Sequence, residues 1–235
     1  MGNVKNIFFK ELKTYFITPI AYIVISIFLL IVGWLFFSTL FLNGQANMVQ
    51  FFSILPITFA FVIPAVTMRL FSEELNVGSY EIILTLPVTF KDIILGKFLA
   101  AVAFISIMIS PTIIYAISIS FLGKLDWGPV VGGYIGAILL GATFSAIGIF
   151  ASLLTRNQVV AFIIGMAICF SLTLLTDFIL YFIPNAFVGF LQYFSANFHF
   201  RNIAKGIIDS RDLLYFITIT FFALYGAKLV MSNKK

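Results

Sequence analysis

The chain combines 235 residues with 62% hydrophobic and only 10% charged side chains, whereas soluble domains carry roughly 45–50% apolar and about 25% charged residues. The core of a water-soluble domain of this size cannot bury so many apolar side chains. The composition therefore excludes an ordinary soluble enzyme and predicts a polytopic membrane protein. With a single Cys169 and a single His199, the chain lacks the residues for an internal disulfide or a Cys/His zinc site. The net charge of +5 is interpreted as a topology signal rather than as a sign of nucleic-acid binding.

The N-terminal segment, residues 1–17, carries apolar side chains at helical spacing. They are Val4, Ile7, Phe8, Leu12, Tyr15 and Phe16, whereas Lys5, Lys10 and Lys13 fall largely elsewhere. This pattern predicts a basic amphipathic helix on the inner membrane surface, with its lysines toward anionic lipid headgroups. The alternative is a cytoplasmic extension of the first membrane span.

Six apolar segments are long enough for membrane helices, each of which needs about 20 residues. No charged residue occurs between Thr14 and Met68, and because this stretch is too long for one crossing, the turn-forming residues 43–47 divide it in two. The predicted spans are residues 20–42, 50–68, 98–122, 129–154, 159–182 and 213–231. The sequence therefore predicts an all-α fold, with one polytopic membrane domain over residues 1–235.

Several span ends have recognisable local signals. Thr89 followed by Asp92 predicts a capped helix start that leads into the third span. Asp126 and Pro129 suit the start of the fourth span, and Pro184 suits a stop after the fifth. Three prolines inside spans predict kinks, and these are Pro56, Pro64 and Pro111.

The distribution of basic residues predicts the orientation, since lysine and arginine collect on the cytoplasmic side. With six spans and both termini inside, the cytoplasmic side holds Lys5, Lys10, Lys13, Arg69, Lys91, Lys97, Arg156, Lys228, Lys234 and Lys235. The other side holds Lys124, Arg201, Lys205 and Arg211. Ten basic residues against four favour cytoplasmic termini.

Residues 70–87, between spans two and three, form a cytoplasmic segment that is too apolar on one side for a simple loop. Ser72 is predicted to cap a first helical unit, which Gly78 ends, and Ser79 to cap a second unit, which Pro87 ends. Acidic side chains at Glu73, Glu74 and Glu81 lie beside the apolar stripe. We expect an amphipathic element docked to a partner; the alternative is a charged turn that only separates its spans.

Residues 184–211, between spans five and six, are too interrupted for a span and too aromatic for an exposed loop. Irregular backbone at membrane depth must be buried in protein or face water, and aromatic rings favour the interface. The sequence therefore predicts a re-entrant, extracytoplasmic helical segment. A packing or interfacial role is favoured for His199 over a catalytic one.

The spans themselves carry few polar signals. Small residues recur at every fourth position of span four, at Gly133, Ala137, Gly141 and Ser145, and Gly148 and Ser152 extend this face, which permits close helix packing. No Asp, Glu, Arg or His lies near the centre of a span, which counts against ion-coupled transport. The phosphate-binding motif G-x-x-x-x-G-K-[ST] is also absent from the sequence.

Residues 73–97 resemble the coupling region of ABC-2 type transporter permeases. The matching residues are Glu73-Glu74, then Gly78-Ser79-Tyr80-Glu81, then Leu84-Thr85-Leu86-Pro87-Val88, then Gly96-Lys97. Ser79 stands where this family usually has threonine, and Ile83 where it has leucine. Within the family the chain looks most similar to gliding-motility-associated permease subunits, through residues 198–206 and 209–213.

The resemblance implies a half-transporter that pairs with a second permease, either a copy of itself or a homologous subunit, in the bacterial inner membrane. Two copies of a cytoplasmic ABC ATPase would dock below and bind ATP and Mg²⁺, so this chain needs no cofactor and is not itself an enzyme. The residues implied to couple it to the ATPase are Phe71, Glu73, Glu74, Gly78, Tyr80, Glu81, Leu84, Thr85 and Pro87. The outer lid of the substrate path would consist of Pro184, Phe187, Phe190, Tyr193, Phe194, Phe198, His199 and Arg201, with membrane lipid around the spans.

The leading hypothesis is an ATP-driven export permease. A second hypothesis uses the same architecture as a mechanical or assembly partner, which acts on a periplasmic or membrane protein instead of moving a solute. A membrane-embedded enzyme is disfavoured because no convergent set of acid, base and nucleophile occurs. A channel or secondary transporter is disfavoured by the apolar spans.

Overall fold

The computed structural model describes residues 2–43, 47–79, 88–175, 178, 192–207 and 209–234. These residues form helices and connecting turns without any strand, which confirms the all-α prediction for the described part. The helices are α1 (Gly2–Ile17), α2 (Pro19–Asn43), α3 (Val49–Thr67), α4 (Arg69–Val77), α5 (Phe90–Ile109), α6 (Ile113–Leu122), α7 (Trp127–Leu154), α8 (Gln158–Phe170), α9 (Ala196–Ala204) and α10 (Ser210–Asn233). A 3₁₀ turn, Ser110–Thr112, joins α5 to α6, and a π-helical turn, Ser171–Leu175, follows α8.

Five helical stretches are long and apolar enough to cross a membrane. They are Pro19–Leu42, Val49–Val77, Phe90–Leu122, Trp127–Leu154 and Ser210–Asn233. A shorter apolar helix, Gln158–Leu174, covers the first part of the predicted span at residues 159–182, and most of the remainder lies outside the described residues. The chain is thus a multi-pass membrane protein, and its sixth crossing stays a prediction.

The predicted cap at Thr89 is confirmed, and it starts the helix that leads into the third predicted span. The Thr89 hydroxyl accepts a hydrogen bond from the Asp92 amide at 3.3 Å, and the Asp92 carboxylate accepts one from the Thr89 amide at 3.1 Å. α5 begins at Phe90 and continues through Lys97, as the cap predicts. The predicted membrane span, residues 98–122, is the part of the helical stretch Phe90–Leu122 that follows Lys97.

Prolines affect the helices in two different ways. Pro56 and Pro64 lie inside α3, which continues from Val49 to Thr67. Pro111 lies in the 3₁₀ turn between α5 and α6. Proline cannot donate to the carbonyl four residues earlier, and the Ser110 hydroxyl donates to that carbonyl, Ile107 O, at 2.9 Å instead.

α7 is the central helix of the described bundle. In its apolar stretch 72% of the residues are buried, against 11% in α10. The small residues predicted to form a ridge permit this packing: a Cβ on Gly133 would overlap the Phe52 ring, and one on Gly148 would overlap the Thr67 hydroxyl. The ridge therefore packs within the chain, against α3.

Contacts at the two ends of α7 define two ends of the bundle. Lys234 donates to Leu153 O at 2.6 Å, and α1 and α4 lie at this same end, which we call the α1 end. Burial, together with the nearby charge of Arg156, lowers the pKa of Lys234. At the opposite α9 end, α9 packs on the start of α7, where a Cβ on Gly132 would collide with Ile203 O.

Candidate functional site

The predicted coupling segment, residues 70–87, begins within α4, and a serine of α7 fixes the start of this helix. Only Met68 separates α3 from α4. The Ser152 hydroxyl accepts hydrogen bonds from the amides of Phe71 and Ser72, each at 2.9 Å, and donates to Met68 O at 2.7 Å. One side chain thus satisfies three backbone groups that the turn at Met68 leaves outside a regular helix ladder.

The predicted cap at Ser72 is wrong. Ser72 lies inside α4 and is buried, and its hydroxyl donates to Met68 O. No side chain caps α4 at Met68. A cap is needed only where a helix starts with free amides, and here Ser152 already accepts from two of them.

α4 presents one buried and one exposed face. Leu70, Phe71 and Leu75 are buried, with Phe71 completely so, whereas Glu73 is exposed. Gly78 ends the helix with a φ of +79°, a backbone conformation that favours glycine. Phe71 therefore holds α4 against the bundle, and Glu73 is the acidic side chain that α4 exposes at its surface.

Lys97 is the polar centre of the α1 end. Its ammonium group lies 3.1 Å from Glu11 Oε1 on α1 and 2.7 Å from both Glu74 Oε1 and Leu70 O on α4. It also lies 4.8 Å from the centroid of the Phe71 ring. The three acceptors match the three N–H groups of a lysine ammonium.

Lys97 is almost completely buried, and its two carboxylate partners are mostly buried. The Lys97 side chain is 2% exposed, and those of Glu11 and Glu74 are 10% and 15% exposed. A buried ammonium without partners is very costly, so two carboxylates compensate it here. Glu74 was predicted to face an ATPase, but in the structure its Oε1 pairs with Lys97, and its buried Oε2 has no hydrogen-bond partner among the described residues.

A second contact joins α1 to α4 beside Lys97. The Arg69 guanidinium lies 5.0 Å from the centroid of the Tyr15 ring and donates to the Thr18 hydroxyl at 3.5 Å. The Tyr15 hydroxyl donates to Val66 O at 3.5 Å. Burial raises the pKa of Tyr15 well above its usual range, although Arg69 opposes this shift, so Tyr15 is a neutral phenol that Arg69 can stack on.

A cleft of about 300 Å³ opens between α1 and α4. Its lining includes Lys10 and Thr14 from α1, Glu73 from α4, and Ser79 just beyond Gly78. The cleft therefore carries both charge signs at its surface and has the Lys97 ion pairs at its floor.

The second predicted helical unit lies outside the described residues. It contains Tyr80, Glu81, Leu84, Thr85 and Pro87. Their assignment to the coupling segment therefore stays a prediction. The described part of the segment consists of α4, Gly78 and Ser79.

The outer segment contributes a buried polar pair at the α9 end. His199 Nδ1 lies 2.5 Å from Asp212 Oδ1, and His199 Nε2 lies 3.1 Å from Tyr193 O. The imidazole stacks on Tyr215 with 4.1 Å between ring centroids, and the Tyr215 hydroxyl donates to Phe194 O at 2.8 Å. These contacts tie α9 and the turn before it to the start of α10, which gives His199 the packing role predicted for it.

The predicted lid residues are only partly described. Tyr193, Phe194 and Arg201 are exposed, and Phe198 is half-buried. Three further members, Pro184, Phe187 and Phe190, lie outside the described residues. Tyr193 and Phe198 lie beside the His199 ring, with 6.3 Å and 5.5 Å between ring centroids, and the Phe194 carbonyl accepts from Tyr215.

Sequence reasoning assigned no site role to four residues that organise these sites, namely Glu11, Lys97, Ser152 and Asp212. Two of them carried a usable signal. Glu11 is the one acidic residue in a basic amphipathic helix, and Lys97 follows a cap that places it inside α5. Among the described residues, no group of three or more His, Cys, Asp or Glu side chains could hold a metal ion.

Comparison with known proteins supports the resemblance noted in the coupling segment. Residues 6–224 match the family model described as ABC-2 family transporter protein. No curated protein matches the chain. Proteins of this family are membrane transport components that normally work with an ATPase subunit and are not themselves catalytic. Since the match covers nearly the whole chain, the protein belongs to the ABC-2 family of transporter proteins.

Proposed function

We propose that the chain is the permease subunit of an ATP-driven exporter of the gliding-motility type, in the bacterial inner membrane with both termini in the cytoplasm. Two permeases, identical or homologous, pair with two copies of a cytoplasmic ATPase, which binds and hydrolyses ATP with Mg²⁺. The family match over residues 6–224 supports the permease role. The sequence of residues 198–206 and 209–213 supports the subtype.

The observation that carries the proposal is the firm attachment of α4 to membrane helices. Ser152 joins its first turn to α7, and Lys97 joins its middle to α5. A displacement of α4 is therefore passed to two spans, whereas a flexible loop would absorb it. Nucleotide binding to the ATPases supplies the differential binding energy for such a switch.

The partner-facing surface is acidic in this proposal. Glu73 is exposed on α4, next to exposed Asn76 and Val77. Together with Glu81, it would face basic groups on the ATPase, since charge complementarity favours correct docking. Glu74 contributes indirectly, through its ion pair with Lys97.

The substrate path lies between the two permeases in this proposal, along spans one, two and five, with residues 184–211 as its outer lid. The poor burial of α2 supports this arrangement, because only 28% of its apolar stretch is buried within the chain. Side chains such as Trp34, 76% exposed, are left to contact lipid or the second permease.

The test is purification of the intact complex in mild detergent from cells, followed by identification of its subunits. We expect an ABC ATPase to co-purify with the parent chain. Reversing the acidic surface with Glu73→Lys and Glu81→Lys should lower the recovered ATPase about tenfold, which corresponds to a loss of about 1.4 kcal/mol.

The matched control is Lys124→Glu, a charge reversal at an exposed residue near the α9 end. It should insert normally and retain the ATPase. A complex without any ATPase, or equal ATPase recovery with Glu73→Lys/Glu81→Lys, would overturn the proposed coupling surface.

A further inference from the structure

We infer that Lys97 joins the N-terminal helix α1 to α4, so that α1, α4 and the start of α5 move as one body. This inference rests on the proposed coupling function, and it extends the force-receiving element from residues 70–87 to α1. The sequence patterns give α1 only a surface-binding role. The ion pairs of Lys97 give it a mechanical one.

The joint is a three-way contact between helices distant in sequence. Lys97 belongs to α5, Glu11 to α1, and Glu74 and Leu70 to α4. Withdrawal of any one helix would leave a buried charge with fewer partners than it needs. Each N–H group of the Lys97 ammonium has one of these three acceptors, so the loss of Glu11 leaves one N–H group without its partner on α1.

Two further contacts keep α1 from pivoting about this joint. A Cβ on Gly96 would lie 2.6 Å from Ile7 Cγ2 and 3.2 Å from Val4 O, so α1 and α5 pack closely at the residue before Lys97. On the other side, Arg69 of α4 stacks on Tyr15 of α1. α1 is thus held at three points along its length by α4 and α5.

The mechanical consequence follows from the position of α4. A partner that displaces α4 must either break the Lys97 ion pairs or carry α1 with it. The exposed lysines of α1, Lys5, Lys10 and Lys13, then move across the membrane surface together with α4. α1 becomes a lever that the ATPase moves through Glu74 and Lys97.

The test measures distances between spin labels in the full chain in lipid nanodiscs, without an ATPase. In a Cys169→Ser background, one label pair spans α1 to α4, at Lys13→Cys and Val77→Cys. A second pair spans α4 to α5, at Val77→Cys and Lys91→Cys. All three labelled positions are exposed.

Glu11→Met removes the α1 arm of the joint and leaves Lys97 with both acceptors on α4. We expect a broader α1-to-α4 distance distribution, shifted to longer distances, with the α4-to-α5 distribution unchanged. The matched control, Glu73→Met, makes the same replacement on the exposed face of α4 and should alter neither pair. General destabilisation would broaden both pairs, so the selective change identifies the joint.

Lys97→Met is the second variant and should broaden both label pairs. Distributions for Glu11→Met that equal the parent's in both pairs would overturn the inference. The measurement does not involve the ATPase, so a failed joint and a failed coupling surface are distinguishable. An intact joint in a chain that recruits no ATPase would refute only the proposed function.

Discussion

His199 has oxygen acceptors at both ring nitrogens. Asp212 Oδ1 lies 2.5 Å from Nδ1 and Tyr193 O lies 3.1 Å from Nε2. Both ring nitrogens of this buried imidazole therefore have a partner, one at the start of α10 and the other in the turn before α9. Asp212 Oδ1 also accepts a hydrogen bond from the Asn202 side-chain amide at 3.5 Å, so the pair joins α9 to α10.

We predict that Asp212→Ala destabilises the packing of α9 against α10. Removing the Asp212 carboxyl leaves the buried Nδ1 of His199 without its hydrogen-bond partner, which costs roughly 1–3 kcal/mol. The thermal midpoint of the purified protein in detergent should fall by several degrees. Arg211→Ala, at the exposed neighbouring residue, is the control and should change stability by no more than about 0.5 kcal/mol.

A double-mutant cycle separates the pair from its surroundings. His199→Ala/Asp212→Ala should cost clearly less than the sum of the two single substitutions, since each single substitution already removes the contact between the two side chains. Additive costs would contradict a direct interaction between His199 and Asp212. They would indicate that the two side chains contribute only by packing.

Among the helices, α4 depends on α7 for its first turn. Ser152→Ala leaves the amides of Phe71 and Ser72 without this acceptor, and Met68 O keeps only the Ser72 hydroxyl as a side-chain donor. A buried polar group left unsatisfied costs roughly 1–3 kcal/mol. We predict faster amide hydrogen exchange across α4, measured by mass spectrometry, with little change in α7.

Ser145→Ala is the matched control for this prediction. Ser145 also lies buried on α7, but its hydroxyl donates only to Gly141 O of its own helix, at 2.8 Å. It should leave exchange in α4 unchanged. Equal protection of α4 in Ser152→Ala and in the parent would show that α4 does not depend on the Ser152 hydroxyl.

Sequence patterns predicted these elements where the signal is local. The Thr89–Asp92 cap, the Asp126 cap and the end of α4 at Gly78 each depend on residues within one or two turns. Glu11 and Lys97 are 86 positions apart in the sequence, and no local sequence pattern predicts that two such residues form a pair. Ser152 was recognised only as a small residue on a ridge, because its hydrogen bonds appear once α4 lies against α7.

In the whole molecule, side-chain pairs establish the relative directions of the helices. Phe52 lies against Gly133 and Thr67 against Gly148, so α3 runs parallel to α7. α5 and α6 run the other way, since Ile105 lies against Gly141 and Thr112 against Tyr134. α10 again parallels α7, from Thr220 beside Thr143 to Lys234 beside Leu153. Both chain termini therefore lie at the α1 end.

Together with these helix directions, the distribution of basic residues predicts which end of the bundle faces the cytoplasm. The α1 end holds α1, α4 and the C-terminus, where most lysines and arginines lie, and the α9 end includes the loop around Lys124. Because basic residues collect on the cytoplasmic side, the α1 end should face the cytoplasm. The native Cys169 is buried, so cysteines introduced at the two ends can report the orientation.

We predict that Lys124→Cys reacts with a membrane-impermeant maleimide in intact spheroplasts, whereas Lys13→Cys and Ser232→Cys react only after the membrane is opened. All three positions are exposed in the structure, so a difference in labelling reflects the side of the membrane and not burial. The unsubstituted chain controls for labelling of Cys169. Labelling of Lys13→Cys in intact spheroplasts with protection of Lys124→Cys would place α4 outside the cell, where no cytoplasmic ATPase could reach it.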